Sequence, residues 1–416
     1  MFFLLTFMHI GRKHLGESRN VDIVALMNRS SLDGSAIGQL VTGRQDYEAS
    51  AATRQAAPLA ATRQTQSSSS RPGIIYVAGA SPLVRQLRDG TQAETCPSRL
   101  MRIQAQTIAQ CRALQQRCKS ELVFGLDTAL RLQCIEVPNE LNGDGRLVVV
   151  APRRDRRRNI GGVRCVSWVH PMRCVKIGGL TCVAPDTTWV MYARETNLQM
   201  LVLLGDAMMR RGGGRRWLGK DDLLAECQRL CSRARADDHR LPRKIKNCRL
   251  ALMLMAENTD SFRESELRLL LMAHGLPMPY VNLRVDVPDG VDVGRRGGAS
   301  GGSSGGPAKR CFFLDLSYPW LKVCVEYDGR QHAQNWESDV RRRTLLENDG
   351  WVYINATWED LADESSRLAF AQSVASRMSR QWNQPVAVHE PLALEQLARE
   401  MERQQKRQNR DAKPMK

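Results

Sequence analysis

Apolar positions in the second half of this 416-residue chain fall into short β-type runs. Phe312 to Leu316 is aromatic and aliphatic, and Val323 to Val325 is β-branched around a cysteine. Ser317-Tyr318-Pro319 between them predicts a turn, so the pair reads as two strands, with a further strand over Tyr280 to Val285. After Trp358-Glu359-Asp360-Leu361 a helix is predicted to about Arg380, followed by a charged helix or frayed tail from Glu390 to Lys416. Upstream, Gln104 to Gln116 has helical character, and Leu122 to Leu132 predicts a short strand or turn leading into a helix. Arg146 to Ala151, Gly162 to His170 and Cys174 to Val183 predict strands. Thr187 to Met208 predicts one amphipathic helix, and Asp221 to Cys231 and Ile245 to Ala256 predict two more. The mixture predicts an α/β (α+β) chain, and the length suits two or three domains.

The boundaries follow composition. Glu48 to Gly73 is rich in Ala, Gln, Thr and Ser, so residues 1–73 read as a disordered extension or a start codon placed too far upstream. Met1 to Met8 is apolar but lacks a basic stretch and a small-residue cleavage site, which argues against export. No run approaches the roughly 18 apolar residues of a membrane span. Residues 74–215 read as a mixed α/β module, 216–256 as a helical connector, 257–382 as a second module and 383–416 as a charged tail. A Gly/Ser-rich insertion, residues 287–308, interrupts the second module.

Chemistry concentrates on the two strand runs. Asp315 lies in the first, and Glu326 and Asp328 lie in or just beyond the second, two apart and so on one face. Carboxylates among apolar neighbours are costly unless paired or bound to a cation. If Asp315 sits in matching register, the three converge on an all-oxygen site suited to Mg²⁺ or Mn²⁺. The competing reading is that they cap helices or pair with Arg330 and Arg341.

These residues resemble a known family: bacterial proteins with a C-terminal domain similar to very-short-patch-repair nucleases, of restriction-endonuclease-like fold. The resemblance covers about Glu257 to Ser376. It rests on the helix Asp260 to Leu271 running into His274-Gly275-Leu276-Pro277, on Phe313-Leu314-Asp315-Leu316, and on Val325-Glu326-Tyr327-Asp328-Gly329-Arg330-Gln331-His332. Asp339-Val340-Arg341-Arg342-Arg343, Gly350 to Ile354 and Thr357-Trp358 complete it. The resemblance implies the αβββαβ core of PD-(D/E)XK nucleases, with Glu264 on the first helix, Asp315 on the second strand and Glu326 on the third. It also departs from that superfamily, because Glu326-Tyr327-Asp328 carries no Lys where Glu-x-Lys is usual. Gln331 or His332 is then the candidate for orienting a water, and Arg330 with Arg341, Arg342 and Arg343 for facing a phosphate. A second resemblance, of residues 74–215 to AbiEi-type antitoxins, rests on Phe124 to Leu132, Thr181 to Asp186 and Gly205-Asp206, and implies a DNA-binding or partner-binding module.

Charge points the same way. Sixty-one Lys and Arg against 44 Asp and Glu give a formal +17, enough to attract a polyanion through counterion release. The excess is clustered at Arg153, Arg154, Arg156, Arg157 and Arg158, at Arg210-Arg211 with Arg215-Arg216, and from Arg399 onward. The 12 cysteines include no Cys-x-x-Cys pair, so they read as small buried hydrophobes in a reducing cytoplasm, with Cys165, Cys174 and Cys182 as the weaker zinc-site alternative. Two function classes result. One is a Mg²⁺- or Mn²⁺-dependent endonuclease acting on DNA in repair or defence. The other is a non-catalytic DNA-binding regulator or antitoxin, with a toxin or other protein as partner, that keeps the nuclease fold as a scaffold.

Overall fold

Two mixed sheets divide the strands of this α+β protein, and helices cover both. A computed structural model describes residues 74–75, 96–153, 155, 159–210, 218–288, 309–328 and 336–411. All of them belong to the unit Ser68–Lys416. The expectations for residues 1–73 therefore lie outside the described residues, apart from the neighbouring strand β1 (Ile74–Ile75).

The first sheet contains β1, β2 (Val123–Phe124), β3 (Leu147–Ala151), β4 (Val163–Ser167), β5 (Cys174–Ile177) and β6 (Leu180–Val183), in spatial order β1-β5-β6-β2-β3-β4. The expected strand Cys174 to Val183 is a hairpin of two. Gly178 and Gly179 both take positive φ, 57° and 83°, which is the two-residue turn that glycine allows without steric cost. The helices α1 (Cys96–Gln116) and α2 (Leu126–Leu132) share a core with this sheet through Cys111, Leu114, Phe124, Ala129, Leu132 and Cys182.

The single helix expected over Thr187 to Met208 is likewise two, α3 (Pro185–Glu195) and α4 (Leu198–Met208). Pro185 stands at the first helical position of α3, where its fixed φ suits a helix and its missing N–H costs nothing. Thr196 is extended, and Asn197 caps the second helix by accepting the Met200 N–H at 2.9 Å, so the break is stabilised locally. The helices α5 (Lys220–Ala236) and α6 (Ile245–Leu254) pack with α3 and α4 in the largest apolar cluster, which also takes in Leu269, Met272 and Ala398 from further along the chain.

The second sheet follows the order helix, three strands, helix, strand: α7 (Phe262–Ala273), β7 (Tyr280–Pro288), β8 (Lys309–Tyr318), β9 (Val323–Tyr327), α8 (Trp336–Asn348) and β10 (Val352–Ala356). This is the αβββαβ order expected. β7, β8 and β9 are an antiparallel meander, and β10 lies parallel to β9 on its far side. β7 runs on to Pro288, paired with Lys309, because Leu283, Val285 and Val287 keep their alternation. The strand therefore includes Val287 and Pro288, which were expected to open the insertion, and the rest of the insertion lies outside the described residues.

α7 and α9 (Glu364–Trp382) cover one face of this sheet, packing Leu267, Leu271, Phe370 and Val374 on Leu316, Val323, Val325 and Ile354. A second cluster holds Leu314, Cys324, Leu345, Leu346 and Trp351. Leu314 and Leu316 are two apart yet enter different clusters, so β8 changes the core it serves at Asp315. The last helix, α10 (Leu394–Asp411), rests on α6, α7 and α4. Among the described residues no helix is long and apolar enough to cross a membrane. Six cysteines are buried, as expected of small hydrophobes, but Cys96 and Cys311 are exposed.

Candidate acidic site on the second sheet

Glu264, Asp315 and Glu326 reach one neighbourhood from three elements, and each does so for a local reason. Ser261 caps α7 by accepting the Glu264 N–H at 3.1 Å, and the Glu264 carboxylate turns back to accept the Asp260 N–H at 2.8 Å. This is close to a capping box, and it holds an acid in the first turn, where the helix dipole favours it. Glu264 is only 6% exposed. Leu316 pairs with Val325 across β8 and β9, which brings Asp315 opposite Glu326. The Tyr327 N–H donates to Asp315 Oδ2 at 3.2 Å.

On its other side, Asp315 lies between the pairs Val281–Leu316 and Leu283–Leu314, opposite Asn282. Asn282 takes a left-handed φ of 50°, a conformation that asparagine tolerates better than most residues. Its side-chain amide donates to the Asn258 carbonyl at 2.9 Å and to Asp260 Oδ2 at 2.7 Å. The kink thus ties the edge strand to the segment leading into α7.

The electrostatics follow from burial and crowding. Burial, and then the charge of Asp315, push the Glu264 carboxyl up to about 7. Burial, and then the charge of Glu326, push Asp315 up to about 7 as well. Glu326 is raised too, by burial, but Arg342 and Tyr353 oppose the rise. Arg342 Nη2 donates to Glu326 Oε1 at 2.5 Å, and the Tyr353 hydroxyl donates to Oε2. One carboxylate of the three therefore has a cation, and the other two share an excess of negative charge.

The remaining expected residues are placed as follows. Asp328 is exposed just past the end of β9, its N–H donating to the Ala356 carbonyl at 2.8 Å. Arg342 turns inward to Glu326, while Arg343 pairs with Glu347 at 2.8 Å and lies over the Tyr353 ring at 5.5 Å. Arg341 is exposed on the same helix, and Arg153 is exposed just after β3. Arg330, Gln331 and His332, and Arg154, Arg156, Arg157 and Arg158, lie outside the described residues. Among the described residues, no group of three His, Cys, Asp or Glu side chains is gathered closely enough to hold a metal ion as it stands; this covers Cys165, Cys174 and Cys182 as well. Sequence reasoning missed Tyr353, Asn282 and Asp260. Tyr353 alternates with the apolar Val352 and Ile354, a pattern that marks it as facing the other side of β10, and Cys324, beside Glu326, is its partner in the register.

A second polar centre lies where the two sheets' helices meet. Asp206 on α4 and Arg268 on α7 are both fully buried and pair at 2.6 Å. Asp206 also accepts the Ala256 N–H at 2.9 Å and the Ser265 hydroxyl at 2.7 Å, while Arg268 Nη1 donates to the Leu254 carbonyl. Beside it, a Cβ on Gly205 would come within 2.1 Å of Met255 Cε and 3.1 Å of Trp189 Nε1, so the space a side chain would need there is filled by the Met255 and Trp189 side chains.

Comparison with known proteins adds kinship without an activity. No protein-family profile matches the chain, and no solved structure does. Two uncharacterized proteins of Mycobacterium tuberculosis, from strains CDC 1551 / Oshkosh and ATCC 25618 / H37Rv, are 24% identical over 200 residues, 47% of this chain. The match spans 62% of the length of these curated relatives, to which the chain is similar.

Proposed function

We propose that the protein is a metal-dependent endonuclease that hydrolyses DNA phosphodiester bonds, in repair or defence. The observation that carries this reading is the convergence of Glu264, Asp315 and Glu326 on an αβββαβ core, two of them with carboxyls raised to about 7. Two buried acids and one half-buried acid, with one guanidinium between them, form a site short of positive charge. Their donors are all oxygen, the set that suits Mg²⁺ or Mn²⁺. Bound there, such an ion supplies a Lewis acid for the phosphoryl oxygens and a water of lowered pKa. In this reading Asp315 and Glu326 hold the ion, Glu264 and Asp328 support it, and Gln331 or His332 orients the attacking water. Arg330, Arg341 and Arg343, with the basic cluster from Arg153 to Arg158, grip phosphates. The excess of positive charge selects DNA as partner, and the many free thiols suit a cytoplasmic setting.

A second reading has its own support. Both Glu326 oxygens are already taken, and no lysine follows the glutamate, as expected of a regulator that keeps the fold as a scaffold. Incubation with supercoiled, linear and single-stranded DNA, with Mg²⁺, Mn²⁺ or chelator, separates the two. The nuclease reading expects metal-dependent cutting that Asp315→Ala abolishes while DNA affinity and its salt slope stay nearly unchanged. Binding without cutting under every condition selects the regulator.

A further inference from the structure

Each oxygen of Glu326 already accepts a hydrogen bond. The same Arg342 nitrogen that donates to Oε1 also donates to the Phe313 carbonyl at 2.5 Å, so the guanidinium bridges β9 and β8 beside Asp315. The Tyr353 hydroxyl occupies Oε2. A cation that uses Glu326 must therefore either share an oxygen with one of these donors, beside the positive charge of Arg342, or displace that donor. Tyr353 is anchored in the strand next to β9 and packs within the apolar cluster there. Arg342 reaches in from α8 on a long flexible stem, with 28% of its side chain exposed, against 7% for Glu326. Withdrawing the guanidinium alone would leave a buried carboxylate without a counter-charge, which is costly. Withdrawing it as another cation arrives is not.

We propose that Arg342 is the resident counter-ion of Glu326, and that a divalent cation enters this site by exchange with it, so that the arginine sets the metal affinity. The proposal rests on the reading of the site as metal-dependent.

Mn²⁺ binding to the full chain without DNA, followed by calorimetry and by the paramagnetic signal of free Mn²⁺, tests this. Arg342→Gln is expected to bind Mn²⁺ about tenfold tighter than wild type, within the usual range for coupling between two sites. Arg342→Lys, which keeps a charge but loses the planar fork, is expected to fall between them. It also keeps the test intact if the Gln variant does not fold. Asp315→Ala is expected to lose binding in every background. A flat or reversed order across Arg, Lys and Gln, with Asp315→Ala still lost, overturns the exchange while leaving the metal site in place. Absence of Mn²⁺ binding in the whole series overturns the metal-dependent reading, and the exchange with it.

Discussion

At the scale of single residues, the acidic site has a pH signature that can be read without any substrate. Glu264 and Asp315 both titrate near 7 in the folded protein, against ordinary values of 4.5 and 3.8. Their folded values are raised, so the folded state holds its protons more tightly than the unfolded chain does. Their contribution to stability is therefore fully present below about pH 4, and is lost as pH rises toward and through about 7. Thermal melts between pH 5 and pH 8 are expected to show stability falling across this window. In the double variant Glu264→Gln, Asp315→Asn that part of the slope should be absent; an unchanged slope would mean that the folded state does not raise the pKa values of the two carboxyls.

At the scale of elements, the buried pair Asp206–Arg268 joins α4 to α7, and its worth depends on both halves being present. Arg268→Ala would leave Asp206 in the interior without its cation, at a cost of about 3–5 kcal/mol. Urea unfolding should show this as a lower midpoint, and a shift no larger than that of a surface arginine would refute the role given to the pair. The same scale shows what was legible beforehand. Runs such as Phe312–Leu316 and Val323–Val325 were readable as strands because aromatic and β-branched residues fit a half-buried pleat. The acidic residues on them were readable because carboxylates between apolar residues are conspicuous. The break at Thr196–Asn197 was not, since an asparagine inside a helical pattern and one capping a new helix look alike until the chain's path is known. The partners of Glu326 were hidden for a related reason: Tyr353 lies 27 residues further on, and only the parallel pairing of β9 with β10 makes them neighbours. Arg342 was expected to face a phosphate, but here it faces its own carboxylate.

At the scale of the whole molecule, the largest core does not respect a division near residues 216–256. Leu223, Leu230 and Leu252 of the connecting helices pack in one cluster with Trp189 and Leu201 of the first module and with Leu269, Met272 and Ala398 beyond. Cores that are shared unfold together. Calorimetry is expected to show one cooperative transition for the two modules and their connector, with calorimetric and van't Hoff enthalpies in agreement; two resolved transitions would show the modules to be independent. A shared core also means that helix α7, which carries Glu264 to the acidic site, is braced on one side by the first module and on the other by the second sheet.

The pair at this joint also constrains how the protein can change over time. Asp206 and Arg268 stand 62 positions apart in the chain, and losing either one strands the other in an apolar interior. Loss of both to well-packed apolar residues would be tolerable, or even favourable. These two positions therefore cannot drift separately: descendants of this sequence should keep the acid with the guanidinium or replace them together, so the joint between the modules is inherited as one unit.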